Sequence, residues 1–297
     1  MSIAHIDIFA TKYVENIAAT LETLIRGLSL RTSLHIRSLT NEDIDRCTND
    51  STRYLFLLCP QWIYAQTLRP LPTNKYFVYQ LEQFDKSNAP HIHNQFVYNL
   101  LRNAKHVFDY SHVNIDYYPK APIHISLSNV SYLIPPVVMH DDGGSPVKKD
   151  IDVLFCGSIN ERRVSVFHKM RSYGVSITVA RQCFGKTLQH TIRRAKVFLN
   201  IRFSDSCILE TCRLHEALAV RDTSIVSEKP GTNSDDVSIY GQRIHFVERG
   251  NIANLCMCIK NILSTQPSME MECDIDKINV NVKDMLQRQF ITPNNDI

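Results

Sequence analysis

Short apolar runs alternate with stretches of helical periodicity along most of the chain. Ile6-Asp7-Ile8-Phe9-Ala10 reads as a strand. Val14, Ile17, Ala18, Leu21, Leu24 and Ile25 then recur at spacings of three and four, which predicts a helix from about Val14 to Gly27. Tyr54–Leu58 and Tyr76–Leu81 read as buried strands, Phe96–Leu101 as helical and His106–Tyr110 as a further strand. A last strand, Val130–Ile134, is stopped by Pro135-Pro136, because a residue before proline is pushed away from helical geometry. His140-Asp141-Asp142-Gly143-Gly144-Ser145-Pro146 has no apolar period and reads as a linker. A second series follows, with strands near 152–156, 175–180, 196–202, 223–227 and 244–248 and helices near 160–172, 186–194, 207–220 and 251–264.

Strands alternating with helices of this length call for parallel sheets joined by right-handed crossovers. The expected fold class is α/β, with two Rossmann-like domains facing a cleft. The first covers residues 1–140 and the second 150–270. Residues 271–297 hold an amphipathic stretch at about 276–290, free to pack back on the first domain, and a frayed tail from Thr292.

With 297 residues the chain has room for two domains, and 44% hydrophobic residues supply their cores. A formal charge of +3 is too small to make nucleic acid or membrane the main partner. Its distribution is uneven. From Glu161 to Arg213 eleven arginines and lysines face only Glu161, Asp205 and Glu210, which suits a small anion site or a solvated basic face. Nine scattered cysteines fit reduced, buried thiols rather than a disulfide framework. The N-terminus lacks a secretory pattern, and no apolar run approaches the roughly 20 residues that span a bilayer. A soluble, cytoplasmic protein is expected.

Candidate chemistry concentrates between Asp150 and Lys229. Gly157-Ser158 ends the first strand of the second series, where a glycine lets a ligand approach backbone amides. Arg162 and Arg163 fall in the first turn of the next helix, where they either assist its N-terminus in holding a phosphate or simply solvate it. Glu210, Arg213 and Glu216 are spaced three apart, predicting neighbours on one helix face. They form either an intrahelical ion-pair ladder or a site in which Arg213 meets a diphosphate and a glutamate accepts from two ribose hydroxyls. No Gly-x-Gly-x-x-Gly or Walker loop is present.

Arg213-Leu214-His215-Glu216-Ala217-Leu218-Ala219, followed by Ser224-Ile225-Val226-Ser227-Glu228, resembles the donor-binding helix and strand of GT-B glycosyltransferases. The likeness extends to exostosin-like enzymes and to bacterial transferases sharing a Gly-Ser-x-x-Glu-Arg-Arg turn, present here as Gly157 to Arg163. It is strong over residues 150–230 and weaker over 76–112. The resemblance implies a nucleoside-diphosphate sugar such as a UDP-sugar as donor substrate, a glycan or glycoconjugate acceptor, and no cofactor or metal. Carried over by position, Glu216 would bind ribose, and Arg213 with Arg162 or Arg163 the diphosphate. Many retaining members carry Glu-x7-Glu, but eight positions before Glu216 this chain has Ile208, so the donor-sugar contact and the stereochemical course stay open. An inverting enzyme would need a general base, for which Glu82 and Asp109, each following a predicted strand, are candidates together with His112.

Other features imitate sites. Asp141-Asp142 sits in the linker, His91-Ile92-His93 lacks a third metal ligand at suitable spacing, and Trp62, Tyr110, Tyr117 and Tyr118 suit core packing as well as sugar stacking. Two other functions fit the same pattern: a non-catalytic nucleotide or sugar-binding module, and a sugar-nucleotide epimerase.

Overall fold

A computed structural model describes residues 3–64, 68–83, 95–120, 125–138, 147–205, 207–230, 237–265 and 275–291. The linker at 140–146, the His91–His93 pair, Ser206, Cys273 and the tail from Thr292 lie outside these residues. The chain divides into two units, Met1–Pro136 with Asp276–Ile297, and Val137–Ile275.

The first unit is built from β1 (His5–Ala10), α1 (Glu15–Arg26), β2 (Arg31–Ile36), α2 (Asn41–Asn49), β3 (Arg53–Leu58), α3 (Pro60–Ile63), β4 (Tyr76–Gln80), α4 (Gln95–Asn103), β5 (His106–Asp109), α5 (His112–Tyr117) and β6 (Val130–Tyr132). Its sheet runs β2-β1-β3-β4-β5-β6, with every pairing parallel. The central strands carry apolar side chains on both faces because helices cover both. On one face Leu55, Leu57, Tyr76, Val78 and Val107 pack with Ile63, Val97, Tyr98 and Leu101. On the other, Phe56, Phe77 and Phe108 meet Phe290 with ring centroids 5.8, 4.7 and 6.3 Å away.

The second unit holds β7 (Ile151–Cys156), α6 (Glu161–Ser172), β8 (Thr178–Ala180), α7 (Gly185–Arg193), β9 (Ala195–Asn200), α8 (Thr211–Leu218), β10 (Ser224–Glu228), β11 (Ile244–Val247) and α9 (Ile252–Ser264). Its parallel sheet runs β11-β10-β9-β7-β8. Val153, Phe155, Val197, Leu199 and Val226 pack with Met170, Leu255 and Ile259. The last helix, α10 (Ile275–Phe290), brings Phe290 to the first unit.

The alternation predicts most of these elements, with corrections at the polar ones. β2 is an edge strand with every residue at least partly exposed, so Arg31-Thr32-Ser33-Leu34-His35-Ile36 carries no buried run. In α2 only Ile44 and Cys47 are apolar and buried, too few to show a period. A capping box fixes that helix instead: the Thr40 side chain accepts from the Asp43 amide, and the Asp43 carboxylate accepts from the Thr40 amide. The helix expected over 207–220 begins only at Thr211.

Candidate functional site

In each sheet the chain leaves its first strand in one direction and then returns to that strand's other side. The reversals lie between β1 and β3 in the first unit and between β7 and β9 in the second. The crossovers leave the sheet on opposite faces there, so a crevice opens beyond the carboxyl ends of the two strands. In the second unit those ends are Gly157-Ser158 and Asn200-Ile201-Arg202.

Gly157 has φ +146°, and a Cβ placed on it would lie 2.8 Å from Nη2 of Arg213. The glycine therefore lets the Arg213 guanidinium lie against the strand end. Asn200, fully buried, accepts from Arg213 Nη1 at 3.1 Å and donates to Ser227 Oγ at 3.1 Å. Nη1 also donates to Glu210, and the guanidinium carbon lies 5.6 Å from the centre of the Phe155 ring. About a quarter of the Arg213 side chain (23%) stays exposed.

Arg163 is 1% exposed, and its three nitrogens are spent on protein acceptors. Nε donates to Ile201 O at 2.9 Å, Nη1 to Ser158 O at 2.7 Å and Nη2 to Glu210 Oε1 at 2.7 Å. Burial lowers its pKa from the usual guanidinium value, and the Glu210 carboxylate opposes that shift. Arg163 thus ties the ends of β7 and β9 to the start of α8. Arg162 forms a two-pronged pair with Glu228 at 3.0 and 2.9 Å and reaches Asp205 at 3.1 Å. Burial works to lower its pKa, but these carboxylates raise it overall. Charge-assisted, two-pronged pairs of this kind are the strong ones, so Arg162 is also committed to the scaffold.

Glu210, Arg213 and Glu216 do not form one helical stripe. Glu210 precedes α8 as its N-cap, with φ −80° and ψ 61°, and turns to both Arg163 and Arg213. Glu216 is 6% exposed and faces α7, where Gln189 Nε2 donates to its main-chain oxygen at 3.1 Å and to its carboxylate. Glu216 still lies close to the end of β7. The Cys156 thiol there is pushed up to about 12, chiefly by burial and by Cys183, with Glu216 adding to the shift and Arg213 opposing it. Asn200 and Gln189 escape sequence reading. A polar residue ending an apolar run, as in Val197-Phe198-Leu199-Asn200, was the only available signal.

In the first unit Glu82 follows β4 and is half-buried, with its main-chain oxygen accepting from Asn114 at 2.9 Å and from Gln80 at 3.3 Å. Asp109 ends β5 but is fully buried. It accepts from the Ser111 amide at 2.9 Å, from Asn114 at 3.0 Å and from the Tyr118 hydroxyl. Burial dominates these bonds and pushes its carboxyl up to about 8. The Asp109 carboxyl is thus enclosed by protein donors at the end of β5. His112 is exposed and stacks on Tyr132 at 4.1 Å, whereas Tyr118 belongs to the core.

Among the described residues no group of three or more His, Cys, Asp or Glu side chains is arranged to hold a metal ion, and no helix is long and apolar enough to cross a membrane.

No protein-family model matches the chain, and no curated protein matches it. Solved structures do. An α-glucosyltransferase in complex with UDP and a mismatch-containing DNA is 11% identical, with a TM-score of 0.54 over 96% of this chain and 95% of its own. A glycosyltransferase involved in avilamycin A biosynthesis is 10% identical, with a TM-score of 0.54 over 97% of both chains. At such identities the likeness is one of architecture: the chain has the α/β, two-unit GT-B glycosyltransferase fold.

Proposed function

We propose that the chain is a glycosyltransferase that moves a sugar from a nucleoside diphosphate to a hydroxyl acceptor on a glycan or glycoconjugate, without a metal ion. The observation that carries the reading is Arg213, held against Gly157 by Asn200 and Glu210 beside the reversal of the second sheet. Its exposed part is a fixed cation at the strand ends, beside the turn at Gly157. Such preorganised charge stabilises a departing diphosphate at no reorganisation cost when the sugar leaves. Glu216, buried beside the same strand end, offers acceptor oxygens to ribose hydroxyls. Arg162 and Arg163 hold this arrangement in shape. Both compared structures are glycosyltransferases and one holds UDP, which supports a UDP-sugar as donor. For inverting transfer, Glu82 is the base we assign to the acceptor hydroxyl.

The test is release of nucleoside diphosphate from a panel of UDP-, GDP- and ADP-sugars with simple glycosides as acceptors. Arg213→Ala and Glu216→Ala should each lower transfer at least tenfold, as loss of a charged hydrogen bond worth about 1.5–3 kcal/mol requires. Unchanged circular dichroism would show that the fold survives. Near-normal turnover in both variants would overturn the site. Ligand binding by the wild-type chain with no transfer to any acceptor would favour a binding module.

A further inference from the structure

In the first unit two side-chain amides converge on one main-chain oxygen, the carbonyl of Glu82 just past β4. Gln80 Nε2, at the end of β4, reaches it at 3.3 Å, and Asn114 Nδ2, in α5 and 32 residues away, at 2.9 Å. Both amide residues are fully buried, whereas Glu82 itself is half-buried. Asn114 is held in turn. The same nitrogen donates to Asp109 Oδ1 at 3.0 Å, so its two hydrogens are divided between Glu82 and the Asp109 carboxyl. Asp109 also accepts from the Ser111 amide at 2.9 Å, and Ser111 Oγ, as the N-cap of α5, accepts from the Val113 amide at 3.2 Å. The end of β5 therefore sets the start of α5 and the amide that it carries.

Water can satisfy a main-chain oxygen at a turn beyond a strand end, so the chain does not need two buried amides for that purpose. What the two bonds add is a fixed location for the Glu82 backbone, and with it the point from which the carboxylate reaches out. We infer that Asn114 and Gln80 are positioning residues for Glu82, holding its backbone so that the carboxylate meets the acceptor hydroxyl in reacting geometry. The inference rests on the assignment of Glu82 as base and goes beyond it by naming the side chains that set its place. Their effect passes through Glu82 alone. A displacement of about 1 Å at a reacting group lowers the rate about a hundredfold, which gives such indirect contacts their weight.

The experiment is a double-mutant cycle on turnover of the full chain, with the nucleotide sugar and glycoside that the wild type uses. It compares Glu82→Ala, Asn114→Ala and Gln80→Leu, and each of the last two combined with Glu82→Ala. Glu82→Ala should lower kcat at least about a hundredfold. Asn114→Ala should lower kcat about ten- to a hundredfold with donor KM unchanged, and Gln80→Leu, which removes the longer bond, about three- to tenfold. Neither should lower kcat further once Glu82 is alanine. Wild-type kcat in a folded Asn114→Ala or Gln80→Leu chain would overturn the inference. So would an equal loss with and without Glu82, the mark of a merely structural role. If Asn114→Ala does not fold, Gln80→Leu decides by the same two criteria. That variant should fold, because Gln80 Oε1 is buried with no hydrogen-bond partner among the described residues and its removal leaves no acceptor unpaired. Wild-type kcat in Glu82→Ala would remove the base assignment and the inference together, leaving the donor site at Arg213 standing. A large loss in Glu82→Ala with an additive cycle would remove the inference alone.

Discussion

The two units reverse their chains at equivalent places, yet the reversals carry opposite chemistry. Between β7 and β9 the strand ends are ionic, with Arg163 and Arg213 sharing Glu210 and with Arg162 gripping Glu228. Between β1 and β3 they are largely aromatic, with Lys12 placed over the Tyr13 ring at 5.8 Å. Tyr13 and Trp62 are 61% and 46% exposed there, and Cys59 adopts a left-handed turn at φ 52°. Both amide atoms of Gln61 are buried without a hydrogen-bond partner among the described residues. The topology supplies a crevice in each case, and the side chains at the strand ends decide what it suits. Guanidinium groups suit phosphate, whereas amides and exposed rings suit a sugar with hydroxyls and an apolar face. Away from the strand ends the divide does not hold for carboxylates, since the buried Asp7 and Asp43 of the first unit also face arginines. Asp109 in the first unit is surrounded by neutral donors, whereas Glu210 and Glu228 in the second face arginines.

The largest blow to this contrast should come from Arg163→Ala. It strips Glu210 of its fully buried partner and leaves the Ser158 and Ile201 carbonyls without their donor. A loss of about 3–5 kcal/mol is expected in urea unfolding. A loss below about 1 kcal/mol would show that the ionic crown does not depend on this residue.

Asp109→Asn tests the neutral side of the contrast. The folded-state pKa of Asp109, about 8, lies above the ordinary carboxyl value, so the native state keeps a proton that the unfolded chain releases. The resulting stability is fully present below about pH 4 and is lost as pH rises toward 8. The wild-type chain should therefore lose up to about 1.4 kcal/mol per pH unit between about pH 5 and 8 from this group. The Asn variant should lack that component, and identical pH–stability curves for the two chains would refute the assignment.

Trp62→Ala should have the smallest effect. Removing an exposed ring from the first unit is expected to raise the acceptor KM about five- to tenfold, equivalent to about 1 kcal/mol, with donor binding unchanged. An effect on donor affinity instead would mean that Trp62 belongs to a different site.

Much of the fold was legible because buried strands and amphipathic helices leave periodic traces. β2 and α2 left none: an edge strand and a helix held by its cap bury too few apolar side chains to mark a period. In the site, Gly157 and Arg213 could be singled out because a strand end and a helix start are local features. The partners of the arginines could not. Glu228 lies 66 residues from Arg162, and Glu210 lies 47 from Arg163. The apparent surplus of positive charge between Glu161 and Arg213 proves partly a product of sequence counting. Arg194, Lys196 and Arg162 pair with Asp150, Asp152 and Glu228, all outside that window.

The sequence by itself determined that two parallel α/β sheets would form and where their strands would end, because hydrophobic period and turn residues act over a few positions. Which cations remain available to a ligand, and which carboxyl groups stay charged, was decided only by tertiary structure. Ion pairing and desolvation depend on distances in space, and residues far apart along the chain set those distances only once the sheets have assembled.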